Sequence, residues 1–286
     1  MANTIANYTD AQIMKCLLTR DFSGIGREFV DDVVTSVKPG AFLEAQNLDK
    51  VSLPALKEVR SYAFQNSTIT TLDLSWEEIE SIGHSTFLGA AGLPQNLTLS
   101  KLTAMSNGAF AGTSSARNTQ LRSVSLPLWT GSALSEGNGF GNGNLGIFAY
   151  CSAMTSFSAP ELQSVPYQML YYCAALDEVV LPKVSSIGIG AFNYCSNLKK
   201  LDIGGAVTKI NTAFMNSASA MEAFILRGVT SVPSLTASAV SSSAIAKGDC
   251  YVYVPKSLEE TFKVASGWST YSSKIRAIED YPDVCG

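Results

Sequence analysis

Apolar residues recur along this chain in a short fixed phrase. It reads Leu48-x-x-Val51-x-Leu53-Pro54, Leu121-x-x-Val124-x-Leu126-Pro127 and Leu176-x-x-Val179-x-Leu181-Pro182, and once more without proline as Leu198-x-x-Leu201-x-Ile203. The phrase ends in strict alternation, so its apolar members share one face of a short strand and its polar members the other. Proline straight after the last apolar residue cannot donate the next ladder hydrogen bond and stops the strand. A second phrase falls between copies of the first: a small residue, then Phe, at Ala41-Phe42, Ala63-Phe64, Thr86-Phe87, Ala109-Phe110, Ala191-Phe192 and Ala213-Phe214. An aliphatic residue precedes many of these turns at a fixed distance, as Val37, Val59, Ile82, Met105 and Ile187 do, with Gly following it in Ile82-Gly83 and Ile187-Gly188.

The spacing is regular. Phe42, Phe64, Phe87 and Phe110 are 22, 23 and 23 residues apart, and Phe192 to Phe214 is again 22. Two degenerate copies, Ile147-Phe148 and Met169-Leu170, divide the stretch from Phe110 to Phe192 into steps of 38, 22 and 22. The step of 38 must hold an insertion, placed near 129–146. A period of about 20–29 residues carrying L-x-x-L-x-L is the leucine-rich-repeat pattern. One such unit cannot cover its own apolar side, so neighbours must stack on it. The predicted fold is a β-rich solenoid of the α/β leucine-rich-repeat kind. It has about eight stacked repeats, a parallel sheet, capped ends and an internal column of phenylalanines.

The full phrase, best seen at Ile187-Gly188-Ile189-Gly190-Ala191-Phe192-Asn193-Tyr194-Cys195-Ser196-Asn197-Leu198, resembles the BspA-type leucine-rich repeat. The resemblance covers about residues 34–255. The segment Tyr251-Val252-Tyr253-Val254-Pro255, with Leu258, Phe262, Trp268, Tyr271, Ile275 and Ile278 after it, is similar to the closing module often found in that family. The resemblance implies an extracellular or surface-displayed interaction protein, often an adhesin.

The organisation follows. Residues 1–33 are expected to be a helical N-terminal cap: Thr9-Asp10-Ala11-Gln12 matches a capping box, and Ile13, Cys16 and Leu17 make one apolar helical face. Residues 34–255 are the solenoid and 256–286 the C-terminal cap, where Ser257-Leu258-Glu259-Glu260 should start a helix running to about Ala265.

Composition narrows the function. The chain is 46% apolar and 15% charged, against a charged share of roughly 25% in ordinary domains. That is ample apolar material for a core. Net charge is −4, with 10 basic and 13 acidic residues before position 144 and 10 and 11 after it, so neither half reads as a nucleic-acid-binding module. No stretch of about 20 apolar residues predicts a membrane span. Met1 to Asp10 has no basic segment and no apolar run, so it does not read as a signal peptide. Either the protein is not exported by that route, as a phage-borne protein would not be, or a leader has been trimmed from it.

Candidate chemistry is sparse. Cys151, Cys173 and Cys195, spaced by 22 and 22, occupy equivalent positions in consecutive coils. Such a column could hold a soft metal, but free cysteine is among the most buried residue types, and the column reads as a structural ladder. His84 is the single histidine and no G-x-S-x-G occurs, so no hydrolytic triad is expected. Glu77, Glu78 and Glu80 follow Trp76 and could serve a glycosidase, though a solvated turn is the simpler reading. Gly137 to Gly143 lacks the strand and helix of a dinucleotide loop and reads as a surface loop.

Two rows of outward strand positions can be written down. One is Lys50, Thr71, Asn96, Ser123, Ser156, Glu178, Lys200 and Ala223; the other is Ser52, Asp73, Thr98, Ser125, Ser158, Val180, Asp202 and Ile225. Neither contains Trp, Tyr or Arg, the residues that dominate interface energetics. The expected function is non-enzymatic binding or adhesion, with a protein or carbohydrate ligand, no cofactor and no metal. A spacer that displays another component is the alternative, and a glycosidase a distant one. The expected binding residues are Trp129 and Phe140 at the insertion and Lys50, Thr71, Asn96, Glu178, Lys200 and Asp202 on the strand face.

Overall fold

A computed structural model describes residues 19, 21, 22, 24, 26–131, 145–236, 238–240 and 243–286. The expected N-terminal helix face (Ile13, Cys16, Leu17), its capping box and Phe140 lie outside the described residues. Within them the chain winds as a parallel solenoid of about ten turns.

The long wall of the solenoid is built from the L-x-x-L-x-L phrases. Three strands, Glu28–Val30, Lys50–Ser52 and Thr71–Asp73, form one parallel sheet. Eight more form a second, from Asn96–Thr98 through Ser123–Ser125, Ser156–Ser158, Glu178–Leu181, Lys200–Ile203, Ala223–Leu226 and Tyr251–Val254 to Ile275–Ala277. Neighbours pair in equivalent register, as in Glu178 with Lys200 and Lys200 with Ala223. The coil count therefore exceeds the eight read from the sequence. Glu28–Val30, Tyr251–Val254 and Ile275–Ala277 add rungs to the sheet without carrying a small-residue–Phe turn, so counting phenylalanines misses them.

A second wall consists of two-residue strands at the aliphatic position before each turn: Ser36–Val37, Glu58–Val59, Ser81–Ile82 and Ala104–Met105, then Ser164–Val165 and Ser186–Ile187, and last Lys209–Ile210 and Ser234–Leu235. This wall breaks after Ala104–Met105. The main chain bridges the break, with Gln163 N–H donating to the Thr130 carbonyl at 3.0 Å. Glycine after the aliphatic residue has a steric cause. A Cβ on Gly188 would lie 2.6 Å from the backbone nitrogen of Tyr167 in the preceding coil, and one on Gly83 2.3 Å from that of Ser61.

The third side is the Phe turn. Phe42, Phe64, Phe87, Phe110 and Phe148 stack with centroids 5.0, 5.4, 5.1 and 5.5 Å apart and near-parallel rings. Phe110 N–H donates to the Ile147 carbonyl and Phe148 N–H to that of Met169, so the two degenerate copies occupy true turn positions. Thr86, where Ala is usual, is fully buried, and its hydroxyl donates to the Gly83 and Arg60 carbonyls at 2.8 and 3.2 Å.

The C-terminal segment departs from a simple end plug. Its helix spans Glu259–Val264, preceded by a three-ten turn at Lys256–Leu258, and no side chain caps it; the capping box at Ser257 does not form. Phe262 packs edge-on against Trp268 at 5.1 Å, and the Trp268 indole donates to the Pro233 carbonyl at 2.7 Å. The last turn of helix, Pro282–Cys285, then folds back onto the outer face of the long wall. There Cys285 packs with Ala223, Ile225 and Tyr253 in a small second core. Ala223 and Ile225, read from the sequence as exposed, are buried for this reason. No helix among the described residues is long and apolar enough to cross a membrane.

Candidate functional site

The strand rows hold the register the sequence implied, but their members meet different fates. Lys50 lies beside Thr71. Glu178 and Lys200 pair across neighbouring strands, with Nζ and Oε1 3.1 Å apart. Asp202 is not presented to solvent. Its carboxylate is 4% exposed and clamped by Arg227, whose Nε donates to both oxygens at 2.9 and 2.8 Å. Arg227 also donates to the Cys285 carbonyl, tying the back-folded tail over this spot. Trp129 is buried, with exposed Leu128 before it.

The long wall breaks between Thr71–Asp73 and Asn96–Thr98, and an open cleft of about 500 Å³ lies there. It is lined by Ser75, Trp76, Glu77, Glu78, Asn96 and Thr98. A three-ten turn, Trp76–Glu78, wedges into the wall from Ser75, whose φ is 46°. Trp76 is half-buried because its indole packs on Phe87 and Phe110 at 5.2 and 6.4 Å. Two of the three glutamates after it are engaged by the next and preceding coils, Glu78 with Lys101 at 2.6 Å and Glu80 with Lys57 at 3.4 Å. Glu77 forms no ion pair among the described residues.

The buried cysteine column has a job in the fold. Each thiol donates to a carbonyl of the preceding coil: Cys151 to Phe110 at 3.4 Å, Cys173 to Phe148 at 3.3 Å, Cys195 to Leu170 at 3.1 Å. Burial disfavours the thiolate and raises all three pKa values, that of Cys195 to about 12. A thiolate is the nucleophile and metal ligand, so these groups are held inert. His84, half-buried and edge-on to Tyr62 at 5.4 Å, has its pKa lowered mainly by burial.

The richest surface lies elsewhere, on the edge formed by the turns. Tyr150, Tyr172 and Tyr194 stack in a ladder with centroids 5.4 and 5.5 Å apart. Tyr171 touches Tyr150 and Tyr194 edge-on at 5.3 and 5.5 Å. Arg117 lies 4.4 Å from the Tyr172 ring centroid and donates to its hydroxyl at 3.0 Å. Burial, then the neighbouring Tyr150, pushes the Tyr171 phenol up to about 12. Tyr194 is 42% exposed, and Tyr167 and Ile189 are exposed on the adjoining leg. Sequence reasoning looked for Tyr and Arg only in the strand rows. The signal was present, since each ladder tyrosine directly precedes a member of the cysteine column and shares its spacing of 22.

The ladder tyrosines occupy a left-handed slot that recurs from coil to coil. Tyr150, Tyr172 and Tyr194 have φ of 61°, 60° and 61°, in the left-handed region. The equivalent slot of other turns holds Glu44 at 54°, Asn66 at 52° and Gly89 at 68°, so the conformation belongs to the turn.

The profile of the BspA type leucine rich repeat region matches the chain in six copies over residues 28–127 and 144–246. No curated protein sequence matches it. Among solved structures, the chain is similar to the pneumococcal vaccine antigen PcpA, with 14% identity and a TM-score of 0.50 over 88% of this chain and 66% of that one. It therefore spans slightly less than two thirds of the antigen's solved length, and the likeness is one of fold. A leucine rich cell surface protein from Faecalibacterium prausnitzii aligns with 15% identity and a TM-score of 0.36, over 87% of this chain and 77% of that one. A leucine-rich repeat protein from Bacteroides ovatus aligns with 16% identity and a TM-score of 0.37, over 87% and 83%.

Proposed function

Because the chain belongs to the BspA-type leucine-rich repeat family, we propose that it is a non-enzymatic recognition module at a cell or phage surface. Its principal contact is a protein bound on the tyrosine ladder. The observation that carries this reading is the stack of Tyr150, Tyr172 and Tyr194 with Arg117 held against the Tyr172 ring. Tyrosine and arginine are the residues that dominate interface energetics, and four tyrosines with Arg117 converge on this edge. The strand face by contrast is small, polar and in part covered by the tail. Engagement of Glu78 and Glu80 by lysines leaves Glu77 without a free carboxylate partner in that cluster, which favours binding over glycoside hydrolysis.

The test is binding of the labelled full chain to epithelial cells and to immobilised extracellular-matrix proteins. Replacing Tyr172 and Tyr194 together by Asn should weaken the signal by at least about tenfold, since each anchor carries on the order of 1–2 kcal/mol or more. Undiminished binding by that variant would overturn the ladder assignment. A wild-type chain that binds none of these surfaces would instead behave as a display scaffold.

A further inference from the structure

The cleft at the break in the long wall is separate from the tyrosine edge, and the geometry points to a second ligand there: an internal segment of an uncharged oligosaccharide. The reading rests on the mixture of groups that line it. Asn96 accepts a hydrogen bond from Ser123 Oγ at 2.7 Å through Oδ1, which leaves its Nδ2 hydrogens as donors. Thr98 offers a hydroxyl that both donates and accepts, and Glu77 offers an acceptor with no ion pair among the described residues. Sugar hydroxyls both donate and accept, so they can answer all three.

Trp76 supplies the remaining part. Its indole is anchored on Phe87 at 5.2 Å, which leaves a fixed apolar edge in the cleft for the C–H face of a sugar ring. The volume of about 500 Å³ is within the range of small-ligand sites. The cleft is open, so a chain can run through it and no terminal residue need be recognised. Charge sets the class. Lys101 and Lys57 neutralise Glu78 and Glu80, and Glu77 remains as a negative group that opposes sialic or uronic acids. A lysine side chain would satisfy Glu77 but bring only donors, leaving the Asn96 amide hydrogens unanswered.

The experiment is a glycan array probed with the full chain, covering neutral, N-acetylated, sialylated and uronate-bearing oligosaccharides, with an oligolysine peptide alongside. The best neutral member is then titrated against variants. Neutral or N-acetylated members should bind and acid-bearing ones should not. Asn96→Ala and Glu77→Ala are exposed substitutions, and each should weaken the neutral ligand by about tenfold, the loss of one good hydrogen bond. Circular dichroism should show both variants folded as wild type. The cleft assignment is overturned by any of four results: equal binding of acidic members, undiminished binding by both variants, no array member bound, or oligolysine alone bound. Tyr172→Asn separates this proposal from the previous one. It should leave the array signal unchanged; if it abolishes that signal, the sugar sits on the ladder and the cleft assignment fails.

Discussion

The turns from Phe42 to Phe110 and those from Phe148 to Phe192 share one backbone and differ in what they place inside and outside it. In the first group the inside is a continuous stack of rings, and the slot two residues after the ring holds Glu44, Asn66 and Gly89. In the second, Leu170 interrupts the ring column, the cysteine thiols bond from coil to coil, and the outer slot holds tyrosine three times. The comparison separates what the coil requires from what it tolerates. The inside slot requires an apolar group of sufficient volume. The outer slot requires only a left-handed backbone, which Gly and Asn meet most cheaply. Glu44 opposes that preference as tyrosine does, so what makes the second group stand out as a surface is three tyrosines in consecutive coils stacking on one another.

The strongest way to break the comparison is at the inside slot. Phe87→Ala removes a ring stacked on both sides and fully buried, and should destabilise the chain by about 3–5 kcal/mol in chemical denaturation. An unchanged midpoint would mean that the column is not the spine. Leu170→Phe asks whether the interruption is a requirement. If the second group is packed around Leu170, the larger ring should cost about 1–3 kcal/mol through overpacking. A more stable variant would show that leucine is only drift in a slot built for Phe.

The thiol column gives a pH signature found only in the second group. The folded pKa values lie above the unfolded value of about 8.5, so the folded state keeps protons that the unfolded state releases. The stabilisation is therefore fully present below about pH 8.5 and is lost as pH rises towards the folded value of about 12 at Cys195. Each thiol contributes a slope of about 1.4 kcal/mol per pH unit in that window. Replacing Cys151, Cys173 and Cys195 by Ser should flatten the fall in melting temperature between about pH 9 and about pH 11, and equal slopes would refute the assignment. The smallest effect is at the outer slot. Tyr172→Asn relieves backbone strain and loses ring contacts, so stability should move by less than about 1 kcal/mol while ligand binding falls. A large loss of stability would make the ladder a structural feature.

Much of the fold was legible because it is periodic. Leu48, Val51 and Leu53 state their own strand and its inward face, and the equivalent residues of later coils repeat the statement. The candidate sites were less legible. Trp129 stands out in the sequence and is buried in the structure. Asn96 looks like any polar strand residue, and only the wedge at Trp76–Glu78 makes it line a cleft. Asp202 follows the same alternation as Ser125, yet Arg227 and the tail enclose it.

By itself, the sequence determined the coil period, the inward columns of phenylalanine and cysteine, and the alignment of the strand rows. These follow from alternation and spacing, which are local and repeat at every coil. Tertiary structure alone decided which outward positions reach solvent. The Pro282–Cys285 turn covers the wall at Ala223 and Ile225, the sheet breaks beside Asn96, and tyrosines from three coils stack on one edge with Arg117 against Tyr172. A period fixes the direction in which a side chain points. What covers it depends on segments far away in the chain, and no local pattern encodes their return.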